Sequence, residues 1–284
     1  VLIGVDTGGN VTTGEAVAVG NYAAQNITTG YRLTAVGHSS GGGTGNYNTA
    51  VGYEAYNANG SGSQNTCVGD DSGTAITSAS RNTMIGYSAG LATTTGEDNT
   101  AVGNWALKDN TTAAYNTAMG NYALKVQTTA SRNTGVGHVA LTAATTGSSN
   151  SAFGDGALTA ITTGSNNSAI GYNAGNSVTT GSNNSLLGYD ADATAVDVSN
   201  EFTLGNSSVD NLRCNDTSIS SLSDERDKAE VSNLPSAAGL DFINSLRPIT
   251  YYWDRREWYE NGESDGSKIN HGYDSQISNS GQRM

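Results

Sequence analysis

A 17-residue repeat is the feature of this 284-residue sequence that most constrains its fold. An apolar residue followed by Gly recurs from Gly4 to Gly205, and all nine intervals from Gly52 onward have this same length. Most units read Asn-Thr/Ser-small-apolar-Gly, with Ala three residues after the Gly and a second small residue seven residues before it. Repetition at a fixed short period indicates stacked units, each of which contacts only its neighbours.

The repeat predicts a mainly β protein in which each unit over residues 1–205 forms one coil of a parallel β-roll or β-solenoid. Such a unit is too short for a helical hairpin, and its apolar residues do not follow the period of an α-helix. Glycines at the corners provide positive φ angles that other residues adopt only with strain. Because stacked strands lie about 4.7 Å apart, twelve coils extend for about 56 Å.

Two adjacent positions of the predicted strand are expected to have different roles. The residue two before each Gly is mostly small, which allows a neighbouring backbone to approach, and Cys67 at this position is predicted to be a small buried hydrophobe. The residue directly before each Gly is predicted to stack into one buried column. That column comprises Val51, Val68, Ile85, Val102, Met119, Val136, Phe153, Ile170 and Leu187.

An asparagine position and a surface position complete the unit. The asparagines are predicted to hydrogen-bond up and down the solenoid as stacked amides, a structural role in preference to ligand contact. They are Asn48, Asn65, Asn82, Asn99, Asn116, Asn133, Asn150, Asn167 and Asn184. The residue after each Gly is polar, variable and predicted to face solvent. Four of these residues, Tyr53, Tyr87, Tyr172 and Tyr189, are candidate receptor-binding residues because tyrosines in a row offer a surface on which sugars stack.

The composition excludes several function classes. Hydrophobic residues at 36%, charged residues at 14%, 37 Gly and 2 Pro suit short strands and tight turns. No apolar run is long enough to span a membrane, and a net charge of −13 argues against a nucleic-acid partner, since phosphate binding needs a basic surface. Cys67 and Cys214 are too few for a disulfide framework, and His38, His138 and His271 have no metal-ligand spacing. We therefore predict no metal and no cofactor.

The sequence changes character after the repeats. Residues 1–222 contain 6 of the 13 Lys and Arg, whereas residues 223–284 contain both prolines and two of the three tryptophans. We predict a repeat shaft over 1–205, a β-rich neck over 206–222 and a separate segment over 223–284. Because the chain begins at Val1 with neither an initiator Met nor a signal-peptide pattern, we interpret it as a segment of a longer protein.

The repeat motif Asn-Thr-Ala-Val-Gly-x-x-Ala, followed by Thr-Thr-Gly, resembles the head repeats of trimeric autotransporter adhesins and, more closely, repeats in bacteriophage tail fibres. The resemblance covers roughly residues 1–190 and implies a left-handed parallel β-roll in a homotrimer. It further implies a virion protein, made in the host cytoplasm, that attaches to the host surface. The implied partners are other tail or baseplate proteins and a host cell-surface receptor such as a glycan.

The start of the C-terminal segment carries a second motif. Ser-Asp-x-Arg-x-Lys from Ser223 is followed by a predicted short helix that ends before Pro248 and by a predicted strand over 249–253. This pattern resembles the α+β intramolecular chaperone domain (peptidase family S74) at the C-termini of phage tail fibres and tailspikes. The family's later Gly-x-x-Ala-Gln-Glu-type motif is absent, so we expect an incomplete domain here.

The resemblance implies that the chaperone drives trimer assembly and then cleaves itself off at the Ser223–Asp224 bond. Ser223 matches the nucleophile and Lys228 the base that activates it. A Lys serves as a base where burial lowers its pKa. The residues alone favour another role, in which Ser223 caps a helix whose first turn contains Asp224 and Glu225. Self-cleavage is the only enzymatic activity that we predict.

Three alternative functions remain to be weighed. A glycan-binding or glycan-degrading tailspike needs, for degradation, two carboxylates at a defined separation, but uniform coils leave no insertion to hold them. A bacterial trimeric surface adhesin ends in a membrane anchor, which the C-terminal motif does not resemble. An ice-binding solenoid presents Thr at alternating positions of one flat face, whereas adjacent Thr-Thr residues point to opposite faces.

Overall fold

The computed structural model of the chain describes residues 1–9, 15–25, 27 and 29–213. They form a single parallel sheet of 13 strands, in which each strand pairs with its neighbours along the chain. The strands are β1 Leu2–Ile3, β2 Ala16–Val19, β3 Leu33–Val36, β4 Thr49–Val51, β5 Thr66–Val68, β6 Thr83–Ile85, β7 Thr100–Val102, β8 Thr117–Met119, β9 Thr134–Val136, β10 Ser151–Phe153, β11 Ser168–Ile170, β12 Ser185–Leu187 and β13 Phe202–Leu204. The described residues contain no helix.

This arrangement confirms the predicted mainly β fold, a parallel β-solenoid in which each coil corresponds to one sequence repeat. Thr100, Ala101 and Val102 lie beside Thr117, Ala118 and Met119, so equivalent residues of adjacent coils stack directly on one another. The strands are mostly three residues long. The rest of each coil consists of turns, whose backbone groups also bond to the next coil.

The predicted buried column is wrong, and the true one lies one residue earlier in each strand. The inner column, two residues before each Gly, is fully buried: Ala50, Cys67, Met84, Ala101, Ala118, Ala152, Ala169 and Leu186 have no exposed surface. The outer column, Val51 to Leu187 as given above, points away from the coil, and Met119 and Ile170 are 45% and 52% exposed. Successive strand residues alternate in direction, so only one of the two positions can face the interior.

A narrow interior explains why small residues lie inside. The inner column packs against the fourth residue after each Gly, where Leu107, Leu124, Leu141 and Leu158 are fully buried. Beside the larger Met84 this partner is a glycine, and a Cβ added to Gly90 would lie 2.3 Å from the sulfur of Met84. The combined volume of the two positions is therefore limited, as close packing requires.

The glycine after each strand is required by two features of the coil. Gly120 has φ +141°, and a Cβ added to it would lie 2.3 Å from the carbonyl oxygen of Gly137 in the next coil. The same carbonyl contact recurs at Gly52, Gly69, Gly86, Gly103, Gly137, Gly154 and Gly171. A side chain at this position would therefore both strain the backbone and push two coils apart.

The C-terminal predictions lie outside the described residues. One compact unit comprises Val1–Arg213 and therefore contains the repeat shaft and the first part of the predicted neck over 206–222. The predicted helix before Pro248, the strand over 249–253 and the self-cleavage residues Ser223, Asp224 and Lys228 all follow it in the chain.

Candidate functional site

The position after each Gly forms a solvent-facing column along one corner of the solenoid, as the sequence predicts. Tyr53, Tyr87, Tyr172 and Tyr189 are 48%, 46%, 49% and 63% exposed. Their backbones are held in place because each follows a strand whose register repeats from coil to coil. The four candidate tyrosines therefore lie on one side of the solenoid, available to a large ligand.

The structure does not join the four tyrosines into one surface. Tyr172 and Tyr189 stack with ring centroids 5.4 Å apart and planes inclined by 11°. Tyr53 instead stacks on His38, at 5.3 Å and 15°, and Tyr22 contacts the same His edge-on at 5.5 Å. We call Tyr22, His38 and Tyr53 the first aromatic group and Tyr172 with Tyr189 the last aromatic pair.

Tyr87 belongs to a third set, which sequence reasoning missed. Its ring centroid lies 6.4 Å from that of Trp105, which makes an edge-on contact with Tyr122 at 5.0 Å, and Tyr122 lies 6.5 Å from His138. Trp105 and Tyr122 are two residues after their glycines, with φ values of 58° and 61° that turn them toward the column. We call Tyr87, Trp105, Tyr122 and His138 the central aromatic group.

Two lysines lie against the central aromatic group. The Nζ atoms of Lys108 and Lys125 are 5.2 and 5.0 Å from the Trp105 ring centroid, and Lys125 is also 5.2 Å from that of Tyr122. At this distance an ammonium group is attracted by the electrons of the ring face. Lys108 and Lys125 occupy the same position in adjacent coils, and they are the only lysines before residue 214.

The other aromatic sets lie among carboxylates. A hydrogen bond to Glu54 and the charge of Glu54 raise the pKa of Tyr53, and desolvation and the charges of Asp70 and Glu54 raise the pKa of the Asp71 carboxyl. At the other end, the charge of Asp190 raises the pKa of Tyr189. The local charge therefore differs along one column, from negative to positive to negative.

The asparagine column has the structural role that the sequence predicts. Asn150 is fully buried, and its Oδ1 accepts hydrogen bonds from the backbone N–H and the side-chain Nδ2 of Asn167, at 2.9 and 3.0 Å. Its own Nδ2 donates to the carbonyl oxygen of Gly164 at 2.9 Å. The same pattern repeats from coil to coil, so these amides are occupied within the protein and hold the strand to the opposite corner.

Other kinds of site find little support in the described part of the chain. Cys67 is confirmed as a buried hydrophobe, and burial raises the pKa of its thiol to about 12, so it stays protonated and unreactive near neutral pH. Within the described residues, no three His, Cys, Asp or Glu side chains gather as a metal site would need. The same residues include no helix with the length and hydrophobicity to cross a bilayer.

Comparisons with known proteins gave no match. No protein-family model, no curated protein and no solved structure is similar to this chain at a significant level. The features that indicate a function are therefore the repeat, the outer column and the charged aromatic column of the molecule itself.

Proposed function

We propose that the chain is part of the shaft of a bacteriophage tail fibre, in which three copies associate along their outer columns and project toward the host cell surface. The observation that carries this proposal is the outer column itself. It runs past nine coils as an unbroken line of Val, Ile, Met, Phe and Leu side chains that the chain's own fold leaves half-buried or exposed. Monomeric soluble proteins rarely expose a contiguous apolar surface of this kind.

A second copy of the same chain is the partner that fits this surface best. The column repeats at every strand, so only a partner with the same repeat distance matches it along its whole length. A parallel copy in the same register meets that condition, and rotation about a common axis closes the assembly without leaving an open edge. The repeat motif's resemblance to trimeric fibre and adhesin repeats favours three copies.

The native mass of the purified chain tests this association. We expect wild-type protein to have three times the chain mass, and the double variant Val102→Lys with Met119→Lys to dissociate, because it places charges inside the shared surface. The matched control is Asn104→Lys with Asn121→Lys, which adds the same charges at exposed positions two residues away and should remain trimeric. A monomeric wild type would contradict the proposal, and a trimeric outer-column variant would place the association elsewhere.

The proposal extends to the C-terminal segment. There, a chaperone domain would align the three chains and then separate by self-cleavage between Ser223 and Asp224, with Lys228 as the activating base. We expect intact-mass analysis of the trimer to find shafts that end at Ser223, and Ser223→Ala to leave the chain whole. Ser221→Ala, two residues away, is the matched control and should still be processed. Wild-type trimers that keep the segment would contradict self-cleavage.

A specific observation also favours a second candidate, ice binding. The strand Thr or Ser two residues before each outer-column residue points to the same side, so Thr100 and Val102 share one face of the sheet with their equivalents. The adjacent Thr-Thr pairs considered in the sequence lie in the turns instead. This face is free only in a monomer, so a monomeric mass together with thermal hysteresis would favour ice binding over the fibre.

A further inference from the structure

We propose that the central aromatic group, with Lys108 and Lys125, is a binding site for an anionic glycan. This proposal rests on the surface-attachment part of the proposed function and names the class of ligand that one segment of the column would recognise. It differs from the tyrosine surface that the sequence suggests, because Trp105, Tyr122 and the two lysines supply most of the contacts.

Tryptophan and lysine are rare in the described part of the chain, and they occur together at this site. Residues 1–213 contain one tryptophan and two lysines, and the fold brings all three into contact across two adjacent coils. Tyr87 and His138 extend the aromatic surface by one coil on each side. The repeat itself does not require these residues, since the positions equivalent to Trp105 are occupied by Ser88 and Asn173 in other coils.

Aromatic rings beside ammonium groups are suited to binding acidic sugars. The face of a pyranose ring carries C–H groups with small positive charges, which pack on the negative face of an aromatic ring. A carboxylate or sulfate on the sugar gains charge-assisted hydrogen bonds from an ammonium group at the edge of that ring. Lys108 and Lys125 lie one coil apart, so consecutive sugar units of a chain running along the column can each meet one of them.

The two lysines of the site have few acidic partners within the part of the chain that the structure describes. Lys108 has one carboxylate within reach, that of Asp109 at 3.8 Å, and no acidic group among the described residues lies within salt-bridge distance of Lys125. Arg81, by contrast, is paired with both Glu97 and Asp98. The charge of Lys125 is therefore available to an external anion, whereas Lys108 would exchange its long contact with Asp109 for that anion.

The length of the site favours an acidic polysaccharide over a single-stranded nucleic acid. A single-stranded nucleic acid also stacks on aromatic rings, but it carries a phosphate at every nucleotide and needs a longer basic groove. The acidic residues on either side, Asp70, Asp71 and Asp155, whose Oδ1 lies 3.3 Å from His138 Nδ1, limit the aromatic surface to about four coils, or about 14 Å along the column, and the two lysines lie in two of these coils. A short stretch of an acidic polysaccharide fits that length, because it alternates apolar ring faces with separated anionic groups.

Titration of the full-length chain with defined oligosaccharides tests the proposal. The probes are hexagalacturonate, which carries carboxylates, a heparin-derived hexasaccharide, which carries sulfates as well, and neutral maltohexaose. We expect at least one anionic probe to bind, to bind about tenfold more tightly than maltohexaose, and to weaken as salt is raised. The stronger of the two anionic probes identifies the anionic group.

The repeat supplies its own replacement residues for the variants. Lys108→Thr with Lys125→Thr introduces the residue found at the equivalent Thr74 and Thr142, and Trp105→Asn introduces that of Asn173, which has a similar φ of 52°. Each should lower the affinity for the anionic probe by about tenfold while unfolding at the wild-type temperature. The control, Tyr172→Ala with Tyr189→Ala, removes the aromatic pair that lacks lysines and should bind as wild type does.

Three results would overturn the site. They are equal affinity for maltohexaose and the anionic probes, no binding of either anionic probe, and a loss of binding in the Tyr172 and Tyr189 variant rather than in the Trp105 variant. The native mass is measured on the same samples, so a failed glycan site in an intact trimer is distinguishable from a failed fibre proposal.

Discussion

The inner and outer columns contrast two environments for adjacent residues of the same strand. Ala118 has no exposed surface, whereas Met119, one residue later, is 45% exposed. In most strands the small residue lies inside and the large apolar residue lies outside, the opposite of the usual arrangement in a globular core, although Met84 and Leu186 of the inner column are buried. The difference shows that so short a coil is too narrow to bury a large side chain at every strand, so most of the larger strand residues stay at the surface.

Placing Phe in the inner column and, separately, in the outer column should give the largest difference in the free energy of unfolding. We expect Ala118→Phe to lower the free energy of unfolding by about 3 kcal/mol or more, because the packed interior has no space for the ring. Met119→Phe should change it by less than about 0.5 kcal/mol, since Phe153 already occupies an equivalent outer position. Denaturant unfolding of the two variants measures both values, and equal losses would contradict the assignment of the columns.

Substitutions in the asparagine column should cause the next largest loss of stability. Asn150→Ala leaves the backbone N–H of Asn167 and the carbonyl oxygen of Gly164 without their buried partners. Each lost partner costs about 1–3 kcal/mol, so we expect denaturant unfolding to show a loss of about 2 kcal/mol or more.

The control for this variant is Asn121→Ala, which removes an exposed amide at the position after a Gly. Its unfolding midpoint should stay near that of wild type. A small effect at Asn150 as well would show that water replaces the amide, and that the column is not needed to hold successive coils together.

Alanine substitutions at two glycines, one after a strand and one within a strand, should have different effects on stability. Gly120→Ala introduces a Cβ at φ +141° and 2.3 Å from the Gly137 carbonyl oxygen, so we expect a loss of about 2 kcal/mol. Gly135 belongs to the inner column, and its nearest contact would be 3.2 Å away, at the Ala140 carbonyl oxygen. Thermal unfolding of Gly135→Ala should stay within about 1 kcal/mol of wild type, because Ala118 and Ala152 are its equivalents.

Much of the fold could be predicted from the period alone. A short repeat of constant length with Gly at a fixed place specifies the coil, the parallel register and the buried asparagines, because identical residues must then stack on one another. Which of two adjacent strand residues faces the interior could not be predicted in the same way. In a three-residue strand such as Thr100–Val102 the alternation is too short to read, and analogy with globular cores wrongly favours the larger apolar residue for the interior.

The leucines that pack against the inner column could not be predicted from the sequence either. Leu107 and Leu124 are buried with φ values of 50° and 51°, a conformation that Leu rarely adopts, so no local preference marks them. The signal that could have found them is a size relation in several of the units, with Met84 followed by Gly90 and Ala118 by Leu124. For the binding site, the signal was the clustering of Trp105, Lys108 and Lys125 in two units.

The smallest expected effect tests that size relation directly. Ala118→Met alone should cost about 1–2 kcal/mol through overpacking against Leu124, and Leu124→Gly alone should cost about 2 kcal/mol or more by opening a cavity. The double variant recreates the Met84 and Gly90 pair of another coil, so its loss should be smaller than the sum by about 1 kcal/mol. Denaturant unfolding of the four proteins gives the coupling energy. Additive losses would mean that the two positions do not share one interior volume, and that the inner column is small for some other reason.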